Sequence, residues 1–134
     1  MPKNILIVDD DSDVVLFLST VLKDHGYATI EAYNGREGLE KASSDHPDLI
    51  LLDLMMPLKS GIALLSDLKN DDTLKDIPVI MVTGVSGETG IDLDAFFKKS
   101  STVDPKRRVF KPEGYIEKPV DPQKLLKMVR KVLS

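Results

Sequence analysis

The feature that most constrains the fold is a repeated alternation of short apolar runs with segments of helical spacing. Residues 5–8 and 49–52 are uninterrupted runs of Ile, Leu and Val, and an aspartate follows each of them. A strand that is apolar at every position is typical of the centre of a parallel sheet, where both faces are buried. Between these runs, residues 13–25 place apolar side chains three and four positions apart, as an amphipathic helix does. The alternation therefore predicts an α/β fold with a parallel sheet and helices on both faces.

Turn and capping signals divide the chain into five strands and the helices between them. The predicted strands are 5–8, 27–32, 48–52, 78–82 and 115–117, and the clearest helices are 13–25, 34–44, 60–68 and the segment after Asp121. Asn34 followed by Glu37 resembles a capping box, and Asp121 before Pro122 places a capping residue ahead of a proline in the first helical turn. Gly26 stands where the C-terminal glycine of a helix is expected.

Composition excludes several classes of protein. The chain has 134 residues and no cysteine, so a single domain without disulfides, thiolate metal sites or a cysteine nucleophile is expected. A net charge of -4 gives no general attraction for nucleic acid or an anionic membrane, although it leaves a local basic patch open. The apolar runs are far shorter than the roughly 20 residues of a spanning helix, and no export signal precedes the first strand. These features predict a soluble, cytoplasmic protein that binds neither nucleic acid nor membranes directly.

Polar residues stand at the ends of four predicted strands. Asp9 and Asp10 follow the first strand, Asp53 the third, Thr83 the fourth and Lys118 the fifth. The working site of such a sheet lies at the carboxyl ends of its strands, so these side chains are expected to meet there. Clustered carboxylates repel one another unless a cation is bound, and an all-oxygen ligand set favours Mg²⁺.

This constellation suits phosphoryl transfer to a carboxylate. Asp53 is the best placed nucleophile, because it closes the central strand while Asp9 and Asp10 lie on the neighbouring strand to hold the metal. Mg²⁺ and Lys118 would neutralise the phosphoryl oxygens, and the Thr83 hydroxyl would donate to one of them. The other reading of the acidic run at 9–11 is a simple helix cap, since acids favour helix N-termini.

The order of these motifs resembles the receiver domain of two-component response regulators, of the stand-alone, single-domain type. The matching motifs are Asp9-Asp10, Asp53-Leu54-Met55-Met56-Pro57 with Gly61, Thr83-Gly84, and Tyr115-Ile116-Glu117-Lys118-Pro119. The resemblance covers about the whole chain and implies a doubly wound, five-stranded parallel sheet in the flavodoxin-like order 2-1-3-4-5.

The resemblance also implies residue roles. Asp53 would accept a phosphoryl group from a phosphohistidine on a histidine kinase or a histidine phosphotransfer protein. Asp9, Asp10, Asp53 and the backbone carbonyl of Met55 would hold Mg²⁺, and Lys118 would contact the phosphoryl oxygens. The protein would catalyse only its own phosphorylation and dephosphorylation, and would not be an enzyme with a separate substrate.

A switch is implied as well. Thr83 would move to bond the phosphoryl group and Tyr115 would turn inward behind it, with a Lys118–Pro119 peptide bond that is usually cis. The surface made by the family's fourth helix, fifth strand and fifth helix would then change and bind a downstream protein. Receivers often pair through that surface, so a homodimer on phosphorylation is an open expectation.

The chain departs from the pattern in one region. The separation of Thr83 from Lys118 is longer than usual for receivers, which predicts an extended loop or helix insert at about 86–112. We expect one receiver domain over 1–134 and no output domain, with a stand-alone receiver favoured over a domain cut from a larger protein. The resemblance implies that Met55 and Val85 lie near the phosphoryl group; apolar side chains there would admit water less easily, which predicts a long-lived phosphorylated state.

Two other functions compete with the switch. The long insert favours a receiver-fold interaction module that works without phosphorylation, whereas the intact Asp, Thr and Lys set argues against it. A metal-dependent phosphatase with an aspartyl nucleophile commonly has a second acid two residues after the nucleophile. That position is Met55 here, which disfavours the phosphatase.

Overall fold

The structure, a computed structural model, describes residues 2–53, 61–83 and 112–134. Its strands are β1 (Asn4–Val8), β2 (Ala28–Ala32), β3 (Leu49–Asp53), β4 (Val79–Thr83) and β5 (Gly114–Glu117). The helices of these ranges are α1 (Ser12–Asp24), α2 (Gly35–Asp45), α3 (Gly61–Asn70) and α4 (Pro122–Leu133). Each predicted strand is present, and the predicted helices that fall in these ranges are confirmed.

All five strands are parallel and lie in the order β2-β1-β3-β4-β5, which confirms the predicted topology. β3 is central, and its five residues are all buried. β2 and β5 form the two edges of the sheet, and β5 is a strand of only four residues that pairs with β4. The register of this last pair sets Ile80 opposite Gly114 and Thr83 opposite Glu117.

The core has two layers because successive strand residues point to opposite faces of the sheet. On one face, α2 and α3 cover alternate residues of β1 and β3, among them Leu6, Val8, Ile50 and Leu52. On the other face, α1 and α4 cover the residues between them, among them Ile5, Ile7, Leu49 and Leu51. Each of these fully buried side chains contributes roughly 1.5–3 kcal/mol relative to an exposed one. Two buried faces thus explain why the strands are apolar throughout.

The helix ends follow the predicted capping signals. Asp11, Asn34 and Asp121 are the N-caps of α1, α2 and α4, and each side-chain oxygen accepts a backbone N–H bond of 2.8–2.9 Å. Pro122 occupies the first turn of α4, where a missing N–H costs nothing. Gly26 follows α1 with φ of +89°, a left-handed conformation that glycine adopts without strain.

Two strands lie one residue further along the chain than predicted. β3 covers 49–53 and not 48–52, and β4 covers 79–83 and not 78–82. Pro78 has no N–H to give to a ladder, so β4 begins after it, although the Pro78 carbonyl still accepts from Ile50 N at 3.0 Å. As a consequence, Asp53 and Thr83 are the last paired residues of their strands. Their pairing with the neighbouring strands holds their backbones in place.

The predicted insert at 86–112 lies outside the described residues except for Pro112, which is buried. Met55 and Val85 also lie outside them. Within the described ranges, no helix is both long and apolar enough to cross a membrane.

Candidate functional site

The predicted site residues lie along the edge of the sheet that is formed by the carboxyl ends of its strands. Asp9 directly follows β1, Asp53 ends β3, Thr83 ends β4, and Lys118 directly follows β5. Parallel strands bring their carboxyl ends to the same edge, so residues far apart in sequence become neighbours.

Three carboxylates gather at this edge. Asp9, Asp10 and Asp53 each offer an oxygen, and these oxygens all lie within 4.8 Å of one another. Asp9 is 1% exposed and Asp53 is 4% exposed, whereas Asp10 faces solvent. The cluster is therefore buried on one side and open on the other.

The donor set fits a hard divalent cation. The buried Oδ2 of Asp9 has the ammonium of Lys118 at 3.0 Å. Three carboxylates with one ammonium leave an excess of negative charge in a partly desolvated place, which a cation would offset. Oxygen-only ligands suit Mg²⁺, and Asp9, Asp10 and Asp53 are the side chains that would hold it.

The acidic run at 9–11 divides into two roles. Asp11 caps α1 by accepting from Asp13 N at 2.9 Å, while its own N–H donates to Asp9 Oδ1 at 2.9 Å. This bond holds the Asp9 carboxylate toward the cluster. The cap reading is thus correct for Asp11, whereas Asp9 and Asp10 belong to the carboxylate cluster.

Lys118 supplies the positive charge. Its Nζ lies 3.0 Å from Asp9 Oδ2 and 3.5 Å from Asp53 Oδ1. Burial lowers the pKa of the Lys118 ammonium, but the hydrogen bond with Asp9 and the charges of Asp53 and Asp9 outweigh it, so that the pKa is raised above the ordinary 10.5. Lys118 is therefore a cation at neutral pH. The shorter contact is with Asp9, which the sequence did not indicate.

The end of β5 is tied to the end of β4. Lys118 N donates to Thr83 O at 2.8 Å, and the Lys118–Pro119 peptide bond is cis, as the resemblance implied. Thr83 is fully buried. Tyr115 is half-buried, packs against the cluster that contains Met81, and has its hydroxyl oxygen out of contact with solvent. The two predicted switch residues thus lie on adjacent strands below the carboxylates.

A basic groove beside the site was missed by the sequence reasoning. A cavity of about 740 Å³ opens between β5 and α4, and Ile116 and Met128 contribute apolar surface to it. Lys124, Lys127 and Lys131 line the helical side, and none of them forms an ion pair with a described residue. Their spacing of three and four residues on a helix without acidic residues was the available signal.

Comparison with known proteins agrees with this geometry. Residues 5–96 match the response regulator receiver domain family. The chain is 34% identical over 134 residues to the polar-differentiation response regulator DivK of Brucella anthropi, covering 100% of this chain and 98% of that protein. It is also 34% identical over 130 residues to the protein PilH of Pseudomonas aeruginosa, covering 97% of each.

Solved structures show the same fold. A putative response regulator from Chloroflexus aurantiacus superposes with a TM-score of 0.81 at 28% identity, covering 99% of this chain and 98% of that one. The sheet order, the acidic edge and the sequence match lead to one conclusion: the chain belongs to the response regulator receiver domain family.

Proposed function

We propose that this receiver domain is a phosphorylation-controlled signalling switch in which Asp53 accepts the phosphoryl group. The observation that supports it is the setting of the Asp53 carboxylate. It is 4% exposed, ends the central strand, and has the Lys118 ammonium at 3.5 Å and two further carboxylates within 4.8 Å. A carboxylate that is nearly buried beside a cation and two further carboxylates is suited to attack on phosphorus.

The proposed donor is a phosphohistidine on a histidine kinase or a histidine phosphotransfer protein. An Asp53 oxygen forms a bond to phosphorus as the phosphorus–nitrogen bond breaks, and the released imidazole keeps the electron pair and takes up a proton. Lys118 neutralises charge on the transferred oxygens, and the Thr83 hydroxyl donates to one of them. Mg²⁺ held by the three carboxylates would supply further charge neutralisation.

Asp53 is a better acceptor than its two acidic neighbours. Asp9 is held through both of its oxygens, since Oδ1 accepts from Asp11 N at 2.9 Å and Oδ2 pairs with Lys118 at 3.0 Å. Asp10 faces solvent, where its position is least fixed. A receiver domain has no separate metabolite substrate, so the reaction consists of the transfer of the phosphoryl group from the donor to Asp53 and its later loss.

The switch step follows from charge competition. A phosphoryl group on Asp53 adds negative charge next to Lys118, which is then drawn toward it and away from the 3.0 Å contact with Asp9. Thr83 is drawn toward the same group. Because Tyr115 lies on β5 and Lys118 directly follows that strand, with its N–H bonded to Thr83 O, these movements reach the surface of β5.

The groove between β5 and α4 is the proposed reading surface. It includes Tyr115 and Lys118, and the α4 lysines that line its side form no ion pair with any described residue. An acidic, partly apolar segment of a downstream protein complements it, and a second copy of the chain is the other occupant to be tested. The proposal places this exchange in the cytoplasm, without direct contact with nucleic acid or membrane.

Intact mass after incubation with acetyl phosphate tests the proposal. We expect the mass to rise by one phosphoryl group in the presence of Mg²⁺ and to stay unchanged with a chelator or in the Asp53→Asn variant. Asp11→Asn is the matched control, because it removes a neighbouring charge while keeping a capping side chain, and it should be phosphorylated normally. A folded wild-type protein without an adduct would contradict the switch and favour a phosphorylation-independent interaction module.

A further inference from the structure

An ion pair between a nearly buried lysine and a partly exposed glutamate lies at the opposite end of the sheet from the carboxylates. Lys69, near the end of α3, has its Nζ 2.9 Å from Oε1 of Glu113, the residue that precedes β5. The Lys69 side chain is only 9% exposed. A lysine is rarely this buried unless it is paired, and its position far from the carboxylate site calls for a different explanation.

Every donor of this ammonium is used. Besides Glu113, Lys69 Nζ donates to the carbonyl oxygens of Ile77 at 3.1 Å and Lys75 at 3.3 Å. These carbonyls belong to the segment that leads from α3 into β4. Lys69 therefore joins three parts of the chain: the end of α3, the start of β4 and the start of β5.

Glu113 bonds to both backbone groups of Val79. Its N–H donates to Val79 O at 2.7 Å, and its carboxylate Oε2 accepts the N–H of Val79. Val79 is the first residue of β4, and the next pair of the ladder is Ile80 with Gly114. The side chain of Glu113 thus takes the N–H that begins the β4–β5 ladder.

The register of β5 needs such a fixed start. β5 follows a connection that spans positions 84–113. The entropy of closing a connection this long changes very little when its length changes by one residue, so the connection itself does not select one register of β5. A slip by one residue would exchange the faces of Tyr115 and Ile116, which pack into opposite core layers. It would also displace Lys118 by about 3.3 Å along the strand, more than its contact with Asp9 can tolerate.

We infer that Lys69 and Glu113 are positioning residues that set the register of β5 and thereby hold Lys118 and Tyr115 at the phosphoacceptor site; this rests on the proposed function. Lys69 and Glu113 do not touch the reacting atoms. They act through the strand, whose far end is bonded to Thr83 by Lys118 N.

The first test measures the rate constant of phosphorylation by saturating acetyl phosphate and Mg²⁺, at a temperature where circular dichroism shows each variant to be folded. Lys69→Met and Glu113→Gln should slow the reaction by roughly 10- to 100-fold, since a misplacement of about 1 Å can cost about 100-fold. Lys69→Arg keeps a cation with several donors and should restore most of the rate. Gly26→Ala is the control, because its φ of +89° makes alanine strained while the position touches neither β5 nor the site.

Two results would overturn the inference. One is an unchanged rate in Lys69→Met and Glu113→Gln together with a lower melting temperature, which is what a purely structural pair would give. The other is an equal loss of rate in Gly26→Ala, which would show that any destabilisation slows the reaction.

A second measurement separates this inference from the proposed function. Native-state amide hydrogen exchange should accelerate in β5 of Lys69→Met and stay at the wild-type rate in β1. If the wild-type protein takes no phosphoryl group, the proposed function fails, and the exchange result alone then decides the role of the pair. Unchanged exchange in β5 would refute it.

Discussion

Replacing Asp10 by asparagine should stabilise the fold when no divalent cation is present. The Asp10 carboxylate lies within 4.8 Å of carboxylate oxygens of Asp9 and Asp53. Lys118 makes its ion pairs with those two residues, and Asp10 has no ion pair within the described ranges. Asp10 therefore contributes repulsion to the cluster without a compensating contact.

The size of the effect follows from these distances. At 4.8 Å, each repulsion amounts to about 0.9 kcal/mol in water and about 3.5 kcal/mol at an effective dielectric constant of about 20. Asp10 is exposed, so the lower value is the better guide, and salt reduces it further. With two neighbours, we expect the free energy of unfolding to rise by about 1–2 kcal/mol. For a domain of this size, that raises the melting temperature by about 3–8 °C.

Thermal unfolding with and without Mg²⁺ provides the assay. In the presence of a chelator, the melting temperature of Asp10→Asn should be above that of the wild type. Adding Mg²⁺ should raise the melting temperature of the wild type more than that of the variant, because the variant has lost a metal ligand. Ligand binding at about 100 times the dissociation constant adds about 2.7 kcal/mol, enough to reverse the order. Asp11→Asn has the same charge change but retains a helix cap, so it should follow the wild type. A chelated Asp10→Asn that melts at or below the wild type would refute the electrostatic reasoning.

Three further predictions concern other parts of the chain. Because the pKa of Lys118 is raised above 10.5, its ion pairs stabilise the fold fully below about pH 10.5. This stabilisation is lost as the pH rises through the higher pKa that Lys118 has in the folded state. The melting temperatures of the wild type and Lys118→Met should therefore differ by a constant amount near neutral pH and converge at higher pH. Apolar Met55 and Val85 predict a phosphoryl lifetime well beyond seconds, measured by intact mass after removal of the donor, and decay within seconds would contradict this. Gly38→Ala should cost about 1–3 kcal/mol by overpacking, since its Cβ would lie 2.9 Å from Val8 Cγ1; urea unfolding measures it, and an unchanged midpoint would contradict the close packing.

The central strands could be predicted from sequence for a simple physical reason. β3 is buried on both faces, so its sequence has no polar interruption and needs no knowledge of its neighbours. Helix starts were equally readable, because Asn34 and Asp121 bond to backbone groups within three residues. Strand ends were less accurate, since a ladder ends where the partner strand ends, and the partner is not visible in a local pattern.

The site likewise has features that the sequence predicts and features that it does not. The convergence of Asp9, Asp53 and Lys118 follows from topology, which the strand order supplies. The closer approach of Lys118 to Asp9 depends on side-chain reach across three strands, and no local pattern encodes it.

The Lys69–Glu113 pair joins residues 44 positions apart. Nothing in the sequence near either residue marks it. Contacts of this kind become visible only when the fold brings the end of α3 and the starts of β4 and β5 together.

The central claim is that the phosphoryl group is carried by the carboxylate of Asp53, and borohydride reduction tests it most directly. Hydride reduces an acyl phosphate to an alcohol, so a phosphorylated aspartate becomes homoserine, which peptide mass spectrometry can locate. After treatment with acetyl phosphate and Mg²⁺, we predict homoserine at position 53 and unmodified aspartate at positions 9 and 10. Homoserine at position 9 or 10, or none at all in a folded and Mg²⁺-supplied protein, would contradict the account.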